Sequence, residues 1–323
     1  MPTAPTVLVA GDALVDFVPH NPGPPGNAGG YEPTFGGSGA NAAMALDRLG
    51  LPPLCWTRLA TDDLGAFLQE HFAASSIPSD LLVIDEDART TVSLVTHDAD
   101  RGPSFAFYRE HGADTKLQQG TVSDDTLESV SWVHTTGVTM SVEPSRSATL
   151  ELQSRAADRC TVSLDPNWRP EMWHSSHEFR AVIRGALPDI DVVTATPDEL
   201  SVAGFEADDP AALARAVADE GPHTVVLTLG EAGALCFGTD DSPVTGQARH
   251  GGYSIDPVDA TGAGDAFLAG FIASLTHGVK DPNCALALAN AAGAVATTQA
   301  GAVTALTGPD ALRQFHDDIP WLS

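Results

Sequence analysis

Residues 190–237, IDVVTATPDELSVAGFEADDPAALARAVADEGPHTVVLTLGEAGALCF, carry the pattern that decides the fold. Two short, almost wholly apolar runs, Ile190–Thr194 and Thr224–Leu229, flank a segment of helical period at Ala211–Asp219. A third run, Ala234–Phe237, follows a turn containing Gly230 and Gly233. Strands that are apolar along their whole length are buried on both faces, and their alternation with helices predicts a mostly parallel sheet between helical layers. The same rhythm extends outward to strands at Val7–Ala10, Leu54–Leu59, Trp132–Thr135 and Thr161–Leu164. Helices are predicted at Asn41–Leu49, ended by Gly50 and Pro52, at Ser145–Ala157, at Phe179–Leu187 and along the Ala-rich Ala285–Gln299. Two stretches break the rhythm. Gly11–Phe35 is too rich in Pro and Gly for a helix, and Thr90–Thr96 with Ser104–Tyr108 reads as a hairpin joined through Asp98–Gly102. These stretches predict a small β-lid over 16–35 and 89–111, attached to a main α/β domain made of 1–15, 36–88 and 112–323.

The chain has 323 residues, enough to bury a sizeable core without a disulfide or metal staple. Its four cysteines, Cys55, Cys160, Cys236 and Cys284, lie far apart and form no C-x-x-C pair, so they read as buried free thiols. The histidines show no ligand spacing. No apolar run approaches the ~18 residues of a membrane span, and the first residues lack a charged segment before an apolar one, so a cytoplasmic protein is expected. Net charge is −27, from 43 Asp and Glu against 16 Lys and Arg, and only Lys116 and Lys280 are lysines. Such a surface repels nucleic acid and anionic membranes, and neither is expected as a partner. Self-repulsion of this size opposes the compact state, and at ~1 M salt the Debye length shrinks to about 3 Å. The acidic excess therefore reads as adaptation to a very salty cytoplasm, the competing reading being an acidic protein of an ordinary one.

Chemistry concentrates in two glycine-rich segments. In Asp259-Ala-Thr-Gly262-Ala263-Gly264-Asp265-Ala-Phe267, the glycines expose consecutive N–H groups at the start of a helix, a ready anion site. Taken alone, Asp265 reads first as a helix-start carboxylate. Beside an anion cradle it supplies the second part that phosphoryl transfer to an alcohol needs, a proton acceptor. The other segment is Phe35-Gly36-Gly37-Ser38-Gly39-Ala40-Asn41. Its Gly37-x-Gly39-x-x-Ala42, with Asp62 about 20 residues on, fits a loose dinucleotide fingerprint and so a nicotinamide-dependent dehydrogenase. Residues 29–35 are no buried strand, however, and that fingerprint needs one. A close backbone approach to a polyol, with Asn41 offering amide groups to hydroxyls, is the more economical reading; a purely structural turn is the other.

GGSGANAAMALDRLG (36–50) and DATGAGDAF (259–267) together resemble the two signature regions of the ribokinase (PfkB) family of sugar kinases, with the intervening landmarks in order over essentially the whole chain. The resemblance implies a ribokinase-like three-layer α/β sandwich with a small β-lid, using ATP and Mg²⁺, assisted in this family by K⁺ held on backbone carbonyls. It implies Asp265 as catalytic base and Gly262, Ala263 and Gly264 as the anion hole. Asp16, Gly36, Gly37 and Asn41 are expected at the sugar hydroxyls. Thr228, Gly230 and Gly233 are similar to the nucleotide-binding turn, and Asn290 falls where the family places a residue against adenine, although small-residue packing accounts for the rest of that helix. Sugar and ATP are the implied partners, with a homodimer through the lid as a further expectation.

Several positions depart from the family pattern. Ala260 replaces a Thr or Pro, and Ala60 stands where Gly is common. The Asn-x-x-Glu stretch that organises Mg²⁺ through water reads Thr196-Pro-Asp198-Glu199, which leaves Glu199, or Asp198 after a one-residue shift. Phe107-Tyr108-Arg109 with Gly112-Ala113-Asp114 resembles a fructokinase flap in which the arginine reaches the sugar. Asp165-Pro-Asn167-Trp-Arg169 is similar to a stretch shared with 2-keto-3-deoxygluconate kinases, with Arg169 placed to steady polyphosphate charge. The expected acceptor is the primary hydroxyl of a ketohexose, fructose first. The alternatives are 2-keto-3-deoxygluconate, then ribose or a nucleoside.

Overall fold

Val7, Leu8, Val9 and Ala10 expose no surface to solvent. They form the strand around which the molecule is layered in the computed structural model, which describes residues 6–21, 23–98, 102–299, 301–302, 304–317 and 319–322. In chain order the strands are β1 (Val7–Ala10), β2 (Leu14–Pro19), β3 (Tyr31–Gly36), β4 (Leu54–Ala60), β5 (Leu82–Asp85), β6 (Val92–Asp98), β7 (Gly102–Tyr108), β8 (Trp132–Thr136), β9 (Thr161–Asp165), β10 (Val192–Ala195), β11 (Thr224–Thr228), β12 (Ala234–Gly238) and β13 (Gly246–His250). The α-helices are α1 (Ser38–Arg48), α2 (Asp63–Ala73), α3 (Asp124–Ser129), α4 (Ser145–Ala156), α5 (Ser176–Ala186), α6 (Pro197–Val202), α7 (Pro210–Ala218), α8 (Ala263–Thr276) and α9 (Pro282–Ala296).

The large sheet runs β13-β12-β11-β10-β9-β8-β1-β4-β5. Its pairings are parallel from β5 through β11 and antiparallel where β12 and β13 are added. Side chains of a strand alternate between faces, and β1 shows the result. Val7 and Val9 enter the core under α1, α8 and α9, whereas Leu8 and Ala10 enter the core under α4, α5 and α7. Burying Phe271 of α8 or Phe179 of α5, each 0% exposed, contributes about 1.5–3 kcal/mol apiece. The small residues of α9 are explained by packing: a Cβ on Gly270 would meet the Cβ of Ala292 at 2.9 Å, so α8 and α9 lie against each other almost backbone to backbone.

A second sheet, ordered β3-β2-β6-β7, contains one parallel pairing, β2 with β6, between two antiparallel ones. Both irregular stretches of the sequence supply it, and the hairpin of β6 and β7 forms as expected; most of its connection (99–101) lies outside the described residues. Residues 31–36 form the strand β3, which the sequence conceals because it is only half-buried and carries no apolar run. It belongs to the small sheet, so α1 does not follow a buried strand and the dinucleotide arrangement is absent. Helix α1 begins at Ser38 rather than Asn41, so Gly39 lies within it. A Cβ on Gly39 would come within 2.4 Å of the Gly11 Cα, and this close approach, which helix propensity does not encode, is why glycine stands there. Strands β5 and β13 and helices α2, α3 and α6 are likewise short or amphipathic elements that the rhythm does not announce. Among the described residues none of the four cysteines forms a disulfide; two are buried and two half-buried. Among the described residues no helix is long and apolar enough to cross a membrane.

Candidate active site

The chain reverses its direction of travel across the sheet between β1 and β8, leaving β1 toward β4 on one side and continuing from β8 to β9 on the other. Open α/β sheets bind ligands at such a switch point, outside the carboxyl ends of the strands. A cavity of about 320 Å³ lies there, within the ~300–1,000 Å³ of small-ligand sites. Residues at or just beyond the carboxyl ends of the parallel strands build its wall: Asp12 after β1, Val138 after β8, Asp165, Asn167 and Arg169 at and after β9, Thr196 and Glu199 after β10, and Thr228 at the end of β11. Asp16, Phe105 and Phe107 of the small sheet close it from above, and Gly262, Gly264 and Asp265 at the start of α8 complete it.

Asp265 is buried, and its two oxygens have separate partners. Ser38 donates its hydroxyl to Oδ1 at 2.8 Å, and Asn41 donates its side-chain amide to Oδ2 at 3.0 Å. Burial pushes the carboxyl up to about 7 and the charge of Asp12 pushes the same way, while the bonds from Asn41 and Ser38 and the charge of Arg169 oppose the rise. A proton acceptor balanced near neutrality suits general-base work. Gly262 opens α8 in the left-handed region, φ 72°, where a Cβ would strike Ala302 at 2.5 Å. Its conformation turns the helix N-terminus, with its unpaired N–H groups and positive dipole end, toward the cavity. The Ala263 N–H is engaged by the Ala260 carbonyl at 3.2 Å, and Ala263 is absent from the wall; Gly264, exposed and on the wall, is the open donor position.

Asp16 is 6% exposed and burial pushes its carboxyl up to about 6. Gly36 is not on the wall. A Cβ there would lie 2.2 Å from Asp16 Oδ2, so Gly36 makes room for that carboxylate rather than for a ligand. Gly37 does line the cavity. Asn41 also lines it, with its amide nitrogen committed to Asp265 and its Oδ1 left without a partner among the described residues.

Arg109 has employment other than the expected sugar contact. Its Nε pairs with Asp114 at 2.7 Å, Nη1 donates to Ser141 Oγ at 2.7 Å and Nη2 donates to the Val138 carbonyl at 3.2 Å. It stands behind the wall and not on it, because the buried carboxylate of Asp114 captures the guanidinium first. Arg169 is the only Lys or Arg among the wall residues, and its charge lowers the carboxyls of Asp16, Asp165 and Asp265.

The nucleotide-side expectations divide. Thr228 lines the cavity. Gly230 and Gly233 do not; both take positive φ, 59° and 81°, to form the turn between β11 and β12. Asn290 is buried off the wall, its amide donating to the Leu286 carbonyl one turn earlier at 2.7 Å. Glu199 lines the cavity whereas Asp198 is exposed outside it. Glu199 also closes a capping box with Thr196 at the start of α6 and accepts the Trp168 N–H at 3.0 Å, tying two strand ends together. The hydroxyl of Thr196 therefore does the capping that an asparagine there would do.

Three further wall residues escape sequence reasoning. Asp12 is raised, chiefly by burial and then by Asp114. It accepts the N–H groups of Ser38 and Gly39, both at 3.2 Å, fixing the start of α1. Asp165 is raised well above the ordinary carboxylate range by burial and by Glu199 and Asp265. Ser38 lies inside the glycine-rich signature at 36–50 but carries no charge and no expected role. A carboxylate directly after an apolar strand is the available signal for the first two; only the fold brings Ser38 to Asp265, 227 positions away. Among the described residues no group of three or more His, Cys, Asp or Glu is arranged to hold a metal ion.

Comparison with known proteins matches residues 4–308 to the pfkB family carbohydrate kinase model. The fructokinase of Vibrio alginolyticus is 32% identical over 96% of this chain and 98% of its own. A double-mutant fructokinase of Vibrio cholerae O395, solved in fructose-, ADP- and potassium-ion-bound form, superposes with a TM-score of 0.81 at 31% identity, covering 96% of this chain and 97% of that one. Aminoimidazole riboside kinase of Salmonella enterica, complexed with aminoimidazole riboside and an ATP analogue, superposes with a TM-score of 0.80 at 29% identity, over 96% and 99% of the two chains.

Proposed function

The chain belongs to the pfkB family of carbohydrate kinases, and on that premise we propose that it transfers the γ-phosphoryl group of ATP to the primary hydroxyl of fructose, with Asp265 as the base. The observation that carries this reading is Asp265 itself: a buried carboxyl near neutrality, on the wall of the switch-point cavity and beside a helix N-terminus. Fructose is favoured by the names of the relatives and by the neutral character the cavity asks of its ligand. Asp12, Asp16, Asp165, Glu199 and Asp265 crowd one cavity with a single arginine, so a sugar acid would bring a further anion against them.

In this reading the sugar lies between Asp16, the free Oδ1 of Asn41 and the aromatic pair Phe105 and Phe107. The small sheet acts as the lid over 16–35 and 89–111. Asp265 takes the proton of the primary hydroxyl as the sugar oxygen bonds to the γ-phosphorus and the bond to the bridging oxygen breaks, its electron pair leaving with ADP. The N-terminus of α8 at Gly264 stabilises the charge on the phosphoryl oxygens, and Arg169 steadies the polyphosphate. Mg²⁺, when bound, would neutralise phosphate charge; Glu199 is the wall residue suited to hold it through water, because Oε1 keeps a lone pair after accepting the Trp168 N–H, while Oε2 takes both the N–H and the hydroxyl of Thr196. K⁺ is the further ion proposed, supported by the potassium ion bound to the Vibrio cholerae fructokinase. The lid face away from the cavity, where Tyr108 is 65% exposed, is the expected contact for a second copy.

The test compares kcat/KM for fructose, 2-keto-3-deoxygluconate, ribose and a purine nucleoside, read as ADP release in molar KCl with Mg-ATP. Fructose should lead. A clear lead for the acid would transfer the assignment to a 2-keto-3-deoxygluconate kinase, and a lead for the nucleoside to a riboside kinase.

A further inference from the structure

We infer that Ser38 is a positioning residue for phosphoryl transfer, its hydroxyl oriented by Asn167 so as to hold the carboxylate of Asp265 ready for the sugar proton. The inference rests on the reading of Asp265 as base and adds to it a residue that the signature motifs do not single out.

Three elements of the fold meet at this hydroxyl. Ser38 is the first residue of α1, and its N–H is held by Asp12 Oδ2 at 3.2 Å. Asn167, in the loop after β9, donates its side-chain amide to Ser38 Oγ at 3.0 Å, and Ser38 donates to Asp265 Oδ1 at 2.8 Å. The direction of this chain is fixed by chemistry. An amide nitrogen only donates, so the serine oxygen accepts, and its single proton is left to point at the carboxylate. Asn167 is itself held in an uncommon conformation, φ 43°, which few side-chain-bearing residues other than asparagine and aspartate adopt. Its N–H donates to Asp165 Oδ1 at 2.9 Å, and the left-handed backbone aims its amide at Ser38.

With Asn41 on Oδ2 and Ser38 on Oδ1, two of the roughly four lone-pair positions of Asp265 are filled, one on each oxygen, and the carboxylate cannot rotate about its own axis without breaking both bonds. The remaining positions receive the substrate proton. Donation to the ionised form also favours it, so the Ser38 bond keeps a deeply buried carboxyl available as a base near neutral pH; that bond is among the influences lowering the group.

The experiment measures kcat as a function of pH at saturating sugar and Mg-ATP, for wild type, Ser38→Ala, Ser38→Thr and Asn167→Gly, with Asp265→Asn alongside. Ser38→Ala removes the donor, so its acidic limb should move up by about one pH unit. On the acid side kcat then falls about tenfold and recovers as pH rises. Ser38→Thr restores the hydroxyl and should overlay wild type. Asn167→Gly keeps the backbone conformation while freeing the serine to rotate, and should move the limb in the same direction by less. A Ser38→Ala profile that overlays wild type would overturn the inference. So would a loss equal at every pH and accompanied by a raised sugar KM, which would mark Ser38 as a ligand contact. If Asp265→Asn retained turnover, the base assignment itself would fail, an outcome distinct from both.

Discussion

Arg109 Nε lies 2.7 Å from Asp114 Oδ2, an ion pair in which the arginine side chain is 11% exposed and the carboxylate not at all. The pair joins the end of the lid strand β7 to the turn at Ala113–Thr115, while Nη2 reaches the carbonyl of Val138 on the cavity wall. Thr91 donates to the other oxygen of Asp114, so the segment entering β6 and the segment leaving β7 share one buried carboxylate.

Removing the arginine leaves that charge buried and unpaired, which typically costs about 3–5 kcal/mol. Arg109→Ala should lose stability of that order in urea unfolding. Arg109→Lys should recover little, because one ammonium cannot span three acceptors placed for a planar guanidinium. An alanine variant as stable as wild type, altered only in sugar KM, would return Arg109 to the role of direct sugar ligand.

Asp265→Asn should fold and bind both substrates yet turn over about 10²- to 10⁴-fold more slowly, since an amide cannot accept the proton. Sugar binding by calorimetry and ADP release under saturation separate the two properties. Turnover above half of wild type would exclude Asp265 as the base.

The same carboxyl links activity and stability to pH with opposite signs. Its value of about 7 predicts that kcat falls roughly tenfold per unit below that pH. For stability, the folded values of Asp265 (about 7) and Asp16 (about 6) lie above the ordinary 3.8, so between those limits the folded chain holds protons that the unfolded chain has released. Their contribution is complete below about pH 4 and is lost as pH rises through about 7. Thermal scans should therefore show Asp265→Asn gaining a few degrees on wild type at pH 8, and a smaller gain or none at pH 5. An equal difference at both pH values would contradict the raised value.

A net charge of −27 makes stability salt-dependent. The melting temperature should climb between dilute buffer and molar KCl as screening shortens the range of repulsion to about 3 Å. A flat or falling curve would remove the reading of a protein adapted to high salt without touching its chemistry.

Much of this protein is legible in its amino-acid order. The α/β class, the positions of the buried strands along the chain, the hairpin of the lid and the pairing of an anion-binding helix start with Asp265 all derive from apolar periodicity, glycine placement and one carboxylate, which are local properties of the chain. Strand β3 is hidden because a half-exposed edge strand carries no apolar run, and the early start of α1 because Gly39 serves a contact with Gly11 rather than helix propensity. The partners of the site residues are decided elsewhere. That Gly36 yields space to Asp16, that Arg109 turns to Asp114 and that Asn290 bonds its own helix are outcomes of which group arrives first in three dimensions. Ser38 and Asp265 stand 227 positions apart, and no spacing rule relates them. They meet because α1 and α8 pack against each other on one face of the large sheet with both helix starts at the cavity, and burial there raises the carboxyls and makes every hydrogen bond to them count.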